Sequence, residues 1–186
     1  MQEPRIQQQF FESADLLYQV AETLSRPLDA AAQMLVDGLT GGNRVLCCGL
    51  GLSNLDARYF ASLLLGRFEQ ERPGLAAIAL NDAGDQADLQ RQLLTLGHPG
   101  DLLVLLDAHA AGLAALTPLL EAARAQDMSV IALTGGMEDE LRALLHDTDV
   151  QIRVPASRAA RVAEAQRLLI HCLCDAIDLQ LLGTNE

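Results

Sequence analysis

From Arg44 onward the chain alternates between short apolar runs and helix-patterned stretches, and this restricts the fold more than any other feature of the sequence. The apolar runs occupy 45–48, 75–80, 102–106, 129–133 and 150–154. Between them, 54–68, 85–96, 113–125 and 138–145 place apolar residues at helical spacing, and a long last helix is expected over 158–182. Continuous apolar strands separated by helices require a parallel sheet covered on both faces, joined by right-handed crossovers. The expectation is an α/β fold: one domain over 1–186, with its sheet-bearing core at 43–186. Aromatic residues make up only 3 % and Trp is absent, so Ala and Leu must fill the core.

Ahead of the first strand, 1–42 is expected to form a helical hairpin. Its first helix carries Phe10, Leu17, Val20 and Leu24 on one side. Pro27 then opens a second helix, as proline suits a first turn, and Gly41-Gly42 ends it. The formal charge of −12 argues against direct nucleic-acid binding, which needs clustered cations, and permits a basic protein partner. No apolar run approaches the ~18–20 residues of a membrane span, and the N-terminus has no signal-peptide core, so a cytoplasmic location is expected. Cys47 and Cys48 are adjacent in a strand and point to opposite faces. Cys172 and Cys174 lie in the last helix, and no spacing matches a zinc or redox motif, so four buried, reduced thiols are expected. The acidic clusters at 82–88 and 138–140 read as solvated helix ends.

The stretch most open to a functional reading is the first strand, the Gly49-Leu50-Gly51 turn, and Ser53 at the mouth of a helix. Strand, glycine turn and helix N-terminus together can receive an anion. Ser53-x-x-Asp56 also reads as a capping box, and a helix cap is the expected role of Ser53. Gly49-x-Gly51-x-x-Asn54 is an incomplete dinucleotide fingerprint with no acidic residue at the end of the second strand, so no nicotinamide or other cofactor is expected.

Four blocks carry a family resemblance: NRVLCCGLGLSNLDARYFASLLLGRFEQERPGLAAIALN, LGHPGD, DMSVIALTG, and VQIRVPASRAARVAEAQ followed by HCLCDAIDLQLL. On these the chain resembles the sugar-isomerase (SIS) domain proteins. Within them it is similar to the sedoheptulose-7-phosphate isomerases and to the DnaA-initiator-associating proteins, non-enzymatic regulators of replication initiation. The CCG turn, RFEQERPGLAAIALN and CLCD look more like the second group. The resemblance implies a three-layer α-β-α sandwich of flavodoxin/Rossmann-like type around a five-stranded parallel sheet, and a homotetramer.

The departures from that pattern fall on the functional positions. The relatives' Gly-Asn-Gly turn carries Leu50 here, followed by Leu52. Their hydroxyl-rich phosphate loop reads Asp107-Ala108-His109-Ala110-Ala111-Gly112, which puts a carboxylate where a phosphate would sit. The His and Glu that the resemblance assigns to metal and proton transfer on the first sheet helix fall on Tyr59 and Leu63. Of the Gln and His on the last helix, the Gln falls on Ala163 and only His171 remains. One His cannot hold zinc, so no metal is expected, and His171 reads as a core or interface residue. The segment between Asn81 and Gly97 is also shorter than in the relatives.

The reading is a non-catalytic, tetrameric regulator that binds the initiator DnaA, with no membrane partner. Leu181 and Leu182 are its candidate contact residues. The alternatives are a phosphosugar isomerase of altered specificity and a non-catalytic sensor of a carbohydrate derivative. Gly49, Gly51, Ser53, Asp107, His109 and Glu164 are the candidate ligand residues for a weakly held phosphosugar or anion. Arg158 and Arg161 are further polar candidates whose simplest role is in salt bridges.

Overall fold

The three inner strands divide their side chains between two separate cores, as extended backbone with a two-residue period dictates. A computed structural model describes residues 2–81, 86–137 and 139–183. Five strands, β1 (Val45–Gly49), β2 (Ala77–Ala79), β3 (Leu102–Asp107), β4 (Ser129–Gly135) and β5 (Val150–Val154), form one parallel sheet in the order β2-β1-β3-β4-β5. Val45, Cys47, Val104, Leu106, Ile131 and Leu133 face a core shared with α1 (Glu3–Thr40), α2 (Ser53–Leu65) and α5 (Ala159–Leu182). Leu46, Cys48, Leu103, Leu105, Val130 and Ala132 face the other, closed by α3 (Gln86–Leu96) and α4 (Leu113–Ala125). The result is the expected three-layer α-β-α sandwich. Among the described residues no helix is long and apolar enough to cross a membrane.

Four details differ from the sequence reading. The expected N-terminal hairpin is one continuous helix, with Pro27 inside it. Proline in a helix interior costs about 3 kcal/mol. Here Leu16, Val20, Leu24, Ala31, Ala32, Leu35 and Val36 form one buried stripe that stays in register across the proline, and its burial outweighs the break. The second strand is three residues rather than six, because the Leu75 N–H donates to the Leu64 carbonyl at the end of α2 (2.9 Å) instead of to the sheet. The expected helix at 138–145 is a 3-10 turn, Glu140–Leu144. Cys172 is exposed, while Cys47, Cys48 and Cys174 are buried, and none of the four is in a disulfide. The acidic stretch 82–88 lies partly, and Glu138 wholly, outside the described residues.

Two ion pairs, one half-buried and one buried, tie these elements together. Asp101, at the foot of β3, accepts the Arg44 backbone N–H (2.9 Å), the Arg44 guanidinium (2.5 Å) and the His98 N–H (3.1 Å). Burial alone would raise its pKa, but these bonds and the Arg44 charge hold the carboxyl below the usual value of 3.8. Arg72, in the link between α2 and β2, meets Asp178 of α5 at 2.5 Å with both side chains almost wholly buried.

Candidate functional site

The strand order reverses between β1 and β3, and the two loops leaving those strands meet above the sheet. In open α/β sheets such a crevice is where ligands bind. Gly49 ends β1 under tight constraint: a Cβ there would lie 2.2 Å from the Ser53 carbonyl oxygen. Gly51 follows with φ +55°, the left-handed region that glycine adopts without strain. Leu50 turns into the core beside α3 and α4, whereas Leu52 stands 69 % exposed at the rim.

Ser53 is not the cap expected of it. The N-cap of α2 is Leu52, no side chain caps the helix, and Ser53 is its first residue. Its buried hydroxyl instead accepts the Ala108 N–H (3.0 Å), which ties the start of α2 to the loop after β3. Asp107 closes that loop on itself. Its two carboxylate oxygens accept the N–H groups of His109 (3.0 Å) and Ala111 (2.7 Å). The charge expected to repel a ligand phosphate is therefore spent on the loop's own donors, in the Asx manner. From above, Gln166 of α5, wholly buried, donates its amide to the Leu133 carbonyl (2.9 Å) and the Asp107 carbonyl (3.4 Å), bridging the ends of β3 and β4.

A ladder of side chains joins α2 to α5 beside this crevice. Asp56 pairs with Arg167. The Arg167 guanidinium lies 4.0 Å from the centre of the Tyr59 ring, within reach of a cation–π attraction. The Tyr59 hydroxyl and His171 Nε2 are 2.9 Å apart, and the His171 ring rests against Phe68 at 5.5 Å. Leu63 is half-buried against the same core, and Ala163 lines a cavity of about 350 Å³ with Leu52, Ser53, Asp56, His109 and Arg167.

The candidate residues thus fall into separate places. Ser53 and His109 share the cavity between α2 and α5. Asp107 lines a different one, at the ends of β3 and β4. Glu164 sits over α1, where it accepts the Ser13 hydroxyl (2.6 Å) and pairs with Arg161 (2.6 Å). Arg158 pairs with Glu12, and Arg161 donates to the Gln9 carbonyl (2.9 Å), so both bind α5 to α1. At the far end of α5, Leu181 packs against the core and Leu182 is exposed.

The donor set at the four positions singled out by resemblance is a phenol, two alkyl groups and one imidazole, Tyr59, Leu63, Ala163 and His171. The imidazole Nε2 is occupied by Tyr59. Zinc takes three or four nitrogen, oxygen or sulfur ligands, so these residues do not fit a metal ion. Among the described residues no three His, Cys, Asp or Glu side chains cluster as a metal would require. The residues that sequence reasoning missed are Arg167, Asp56 as its partner, and Gln166. The spacing of Asp56 and Tyr59 on α2, and of Ala163, Arg167 and His171 on α5, would place each set along one helix face.

Comparison with known proteins settles the ancestry of this arrangement. The family profile described as "SIS domain" matches residues 9–135. The chain belongs to the SIS domain family. A protein of Methylibium petroleiphilum named phosphoheptose isomerase is 47 % identical over 197 residues, covering 100 % of this chain and 98 % of that protein. One of Aromatoleum aromaticum with the same name is 40 % identical over 193 residues, covering 98 % and 97 %. Among solved structures, a phosphoheptose isomerase from Francisella tularensis superposes with a TM-score of 0.87 at 32 % identity, covering 96 % of this chain and 98 % of its own. The enzyme of that name from Neisseria gonorrhoeae gives 0.86 at 34 %, covering 96 % and 99 %.

These relatives correct the functional expectation. The sequence reading placed this SIS domain with the non-catalytic initiator-binding regulators. Full-length relatives at 40 % and 47 % identity carry the name of an isomerase, as do the two solved structures. A few substituted positions in one crevice count for less than similarity spread along the whole chain.

Proposed function

We propose that this SIS domain is a phosphosugar isomerase, with the cavity between α2 and α5 as its substrate pocket. The observation that carries the reading is the 47 % identity over the whole chain to a phosphoheptose isomerase. The cavity supports it in position and in chemistry. It opens where the strand order reverses, and it gathers a guanidinium, an imidazole and a hydroxyl from Arg167, His109 and Ser53.

Ketose–aldose interconversion moves a proton from the carbon beside a carbonyl to the carbonyl carbon, through an enediol. The enzyme must hold the phosphate end, then take and return that proton. Arg167 is the cation of the pocket, and a guanidinium suits phosphate oxygens in a two-pronged grip. Its Asp56 partner fixes the guanidinium before substrate arrives. His109 is the imidazole lining the same cavity, the side chain best suited to moving a proton near neutral pH. The Gly49–Ser53 turn is the place for a weakly held anion.

The experiment is turnover of sedoheptulose 7-phosphate by the full chain, with the aldose product resolved by chromatography. His109→Ala should lower kcat by about 10²–10⁴-fold, and Arg167→Ala should act mainly on KM. A wild-type protein with no turnover of this or a shorter ketose phosphate would sink the proposal. The reading includes assembly in the cytoplasm as a homotetramer. Ile6, Phe10, Phe11 and Tyr18 leave the N-terminal half of α1 with large apolar side chains 57–75 % exposed, the kind of surface that marks an interface. A stable monomer in light scattering at micromolar concentration would refute that part.

A further inference from the structure

The chain carries 13 arginines and no lysine, in a protein of net charge −12. Three of them converge on one cavity of about 630 Å³ between the middle of α1 and the edge strand β5. Arg26 comes from α1, Arg142 from the 3-10 turn and Arg153 from β5, with Gln151 beside it. The cavity shares no lining residue with the pocket assigned to the isomerase reaction.

Its charges are only partly neutralised from within. Arg26 has no ion pair or hydrogen bond among the described residues, and Arg142 reaches only Asp147, at 4.0 Å. Arg153 is held in place by the Gly136 and Met137 carbonyls (2.8 and 3.2 Å), while its buried Nε has no hydrogen-bond partner among the described residues. The nearest carboxylate to that Nε, Asp139, is 3.8 Å away. Gln151 Nε2 is likewise buried and unpartnered. The remaining acid on the wall, Asp149, already accepts the Val130 and His146 N–H groups (2.9 and 2.8 Å). The cavity is therefore lined by three arginines and Gln151 against two carboxylates, Asp139 and Asp149, of which Asp149 is already engaged. Buried donors left unpaired are costly, and a ligand rich in acceptors relieves that cost.

We propose that this cavity is a second binding site, for a small molecule bearing a phosphate group. Arg26, Arg142 and Arg153 grip the phosphate oxygens, and Gln151 donates to the same or an adjoining oxygen. Guanidinium forks match phosphate geometry, and the volume holds a phosphorylated metabolite as well as free phosphate. Because its wall comes from both α1 and β5, a bound anion cross-links the long N-terminal helix to the sheet.

The test uses the full-length chain with inorganic phosphate, pyrophosphate and glucose 6-phosphate as probes, by calorimetric titration and thermal shift at constant ionic strength. The expected result is saturable binding of at least one probe and a rise in Tm. Both should survive Arg167→Ala, in the isomerase pocket, and affinity should fall at least tenfold in Arg26→Ala/Arg142→Ala. Those two side chains are on the surface, so the double variant should keep its circular dichroism spectrum. Tighter binding of glucose 6-phosphate than of inorganic phosphate assigns the site to a phosphorylated metabolite; the reverse assigns it to phosphate itself. Absence of saturable binding by all three probes at millimolar concentration overturns the proposal, as does binding that the double variant leaves unchanged. Neither outcome depends on whether the protein turns over a sugar.

Discussion

Arg72→Ala should be among the most damaging single substitutions in this protein. The side chains of Arg72 and Asp178 are 1 % and 4 % exposed, and Arg72 Nε meets Asp178 Oδ1 at 2.5 Å. The rest of the guanidinium serves the end of α2. Nη1 donates to the Leu64 and Gly66 carbonyls (2.9 and 3.2 Å), and Nη2 to the Leu63 carbonyl (3.0 Å). Carbonyls at a helix C-terminus have no partner within the helix, so one side chain both pairs a buried charge and caps α2. Removing it strands the Asp178 carboxylate and takes this donor from the Leu63 and Gly66 carbonyls, while the Leu64 carbonyl keeps the Leu75 N–H. Breaking a buried pair from one side costs about 3–5 kcal/mol. At roughly 2–4 °C per kcal/mol for a chain of this size, Tm should fall by roughly 6–20 °C. Asp178→Asn keeps an acceptor for Nε and should cost less, about 1–3 kcal/mol. The joint replacement Arg72→Met/Asp178→Leu should recover much of the loss, because an apolar pair needs no desolvation. Urea and thermal melts at fixed protein concentration give all three values. If both single variants lose under about 1 kcal/mol, or the double variant loses their sum, the pair is not the fastening described.

Asp101 should make stability sensitive to acid. Its folded pKa is lowered, so its contribution is complete above the ordinary value near 3.8 and is lost as pH falls through the folded value; Asp101→Asn should flatten the Tm–pH curve of the wild type below about pH 4. Asp107→Ser should release the His109 and Ala111 N–H groups. Inorganic phosphate should then bind the loop more tightly in the variant than in the wild type, by titration, and an unchanged affinity would show that the carboxylate is not filling an anion seat.

The layers were legible because strand and helix periods alternate without a gap. Val45, Leu46, Cys47 and Cys48 read as a strand buried on both faces, and they divide between the two cores as that pattern demands. Pro27 misled because a local breaking signal says nothing about the stripe from Leu16 to Val36 packed beneath it. Ser53 misled for a related reason. Its partner, the Ala108 N–H, is 55 residues away, so no local motif could show that the hydroxyl was already engaged. Arg72 left no trace at all: it stands in a loop, 106 residues from Asp178. The turn at Asp107 could have been found, since an Asp followed by free backbone donors two and four residues on is a local arrangement. Arg167 is legible from its helical spacing, four residues from Ala163 and four from His171.

The sheet also makes strangers of sequence neighbours. Cys47 and Cys48 share a peptide bond, yet one thiol belongs to the compartment of α1, α2 and α5 and the other to that of α3 and α4. Val45 and Val104, far apart along the chain, are lodged in the same compartment. Substitutions that enlarge or empty one compartment are felt by distant residues on the same side and screened from adjacent ones by a wall of backbone hydrogen bonds. Change in this protein is therefore free to proceed on one side of the sheet, including the side that carries both the α2–α5 crevice and the α1 surface, while the packing behind it stays as it was.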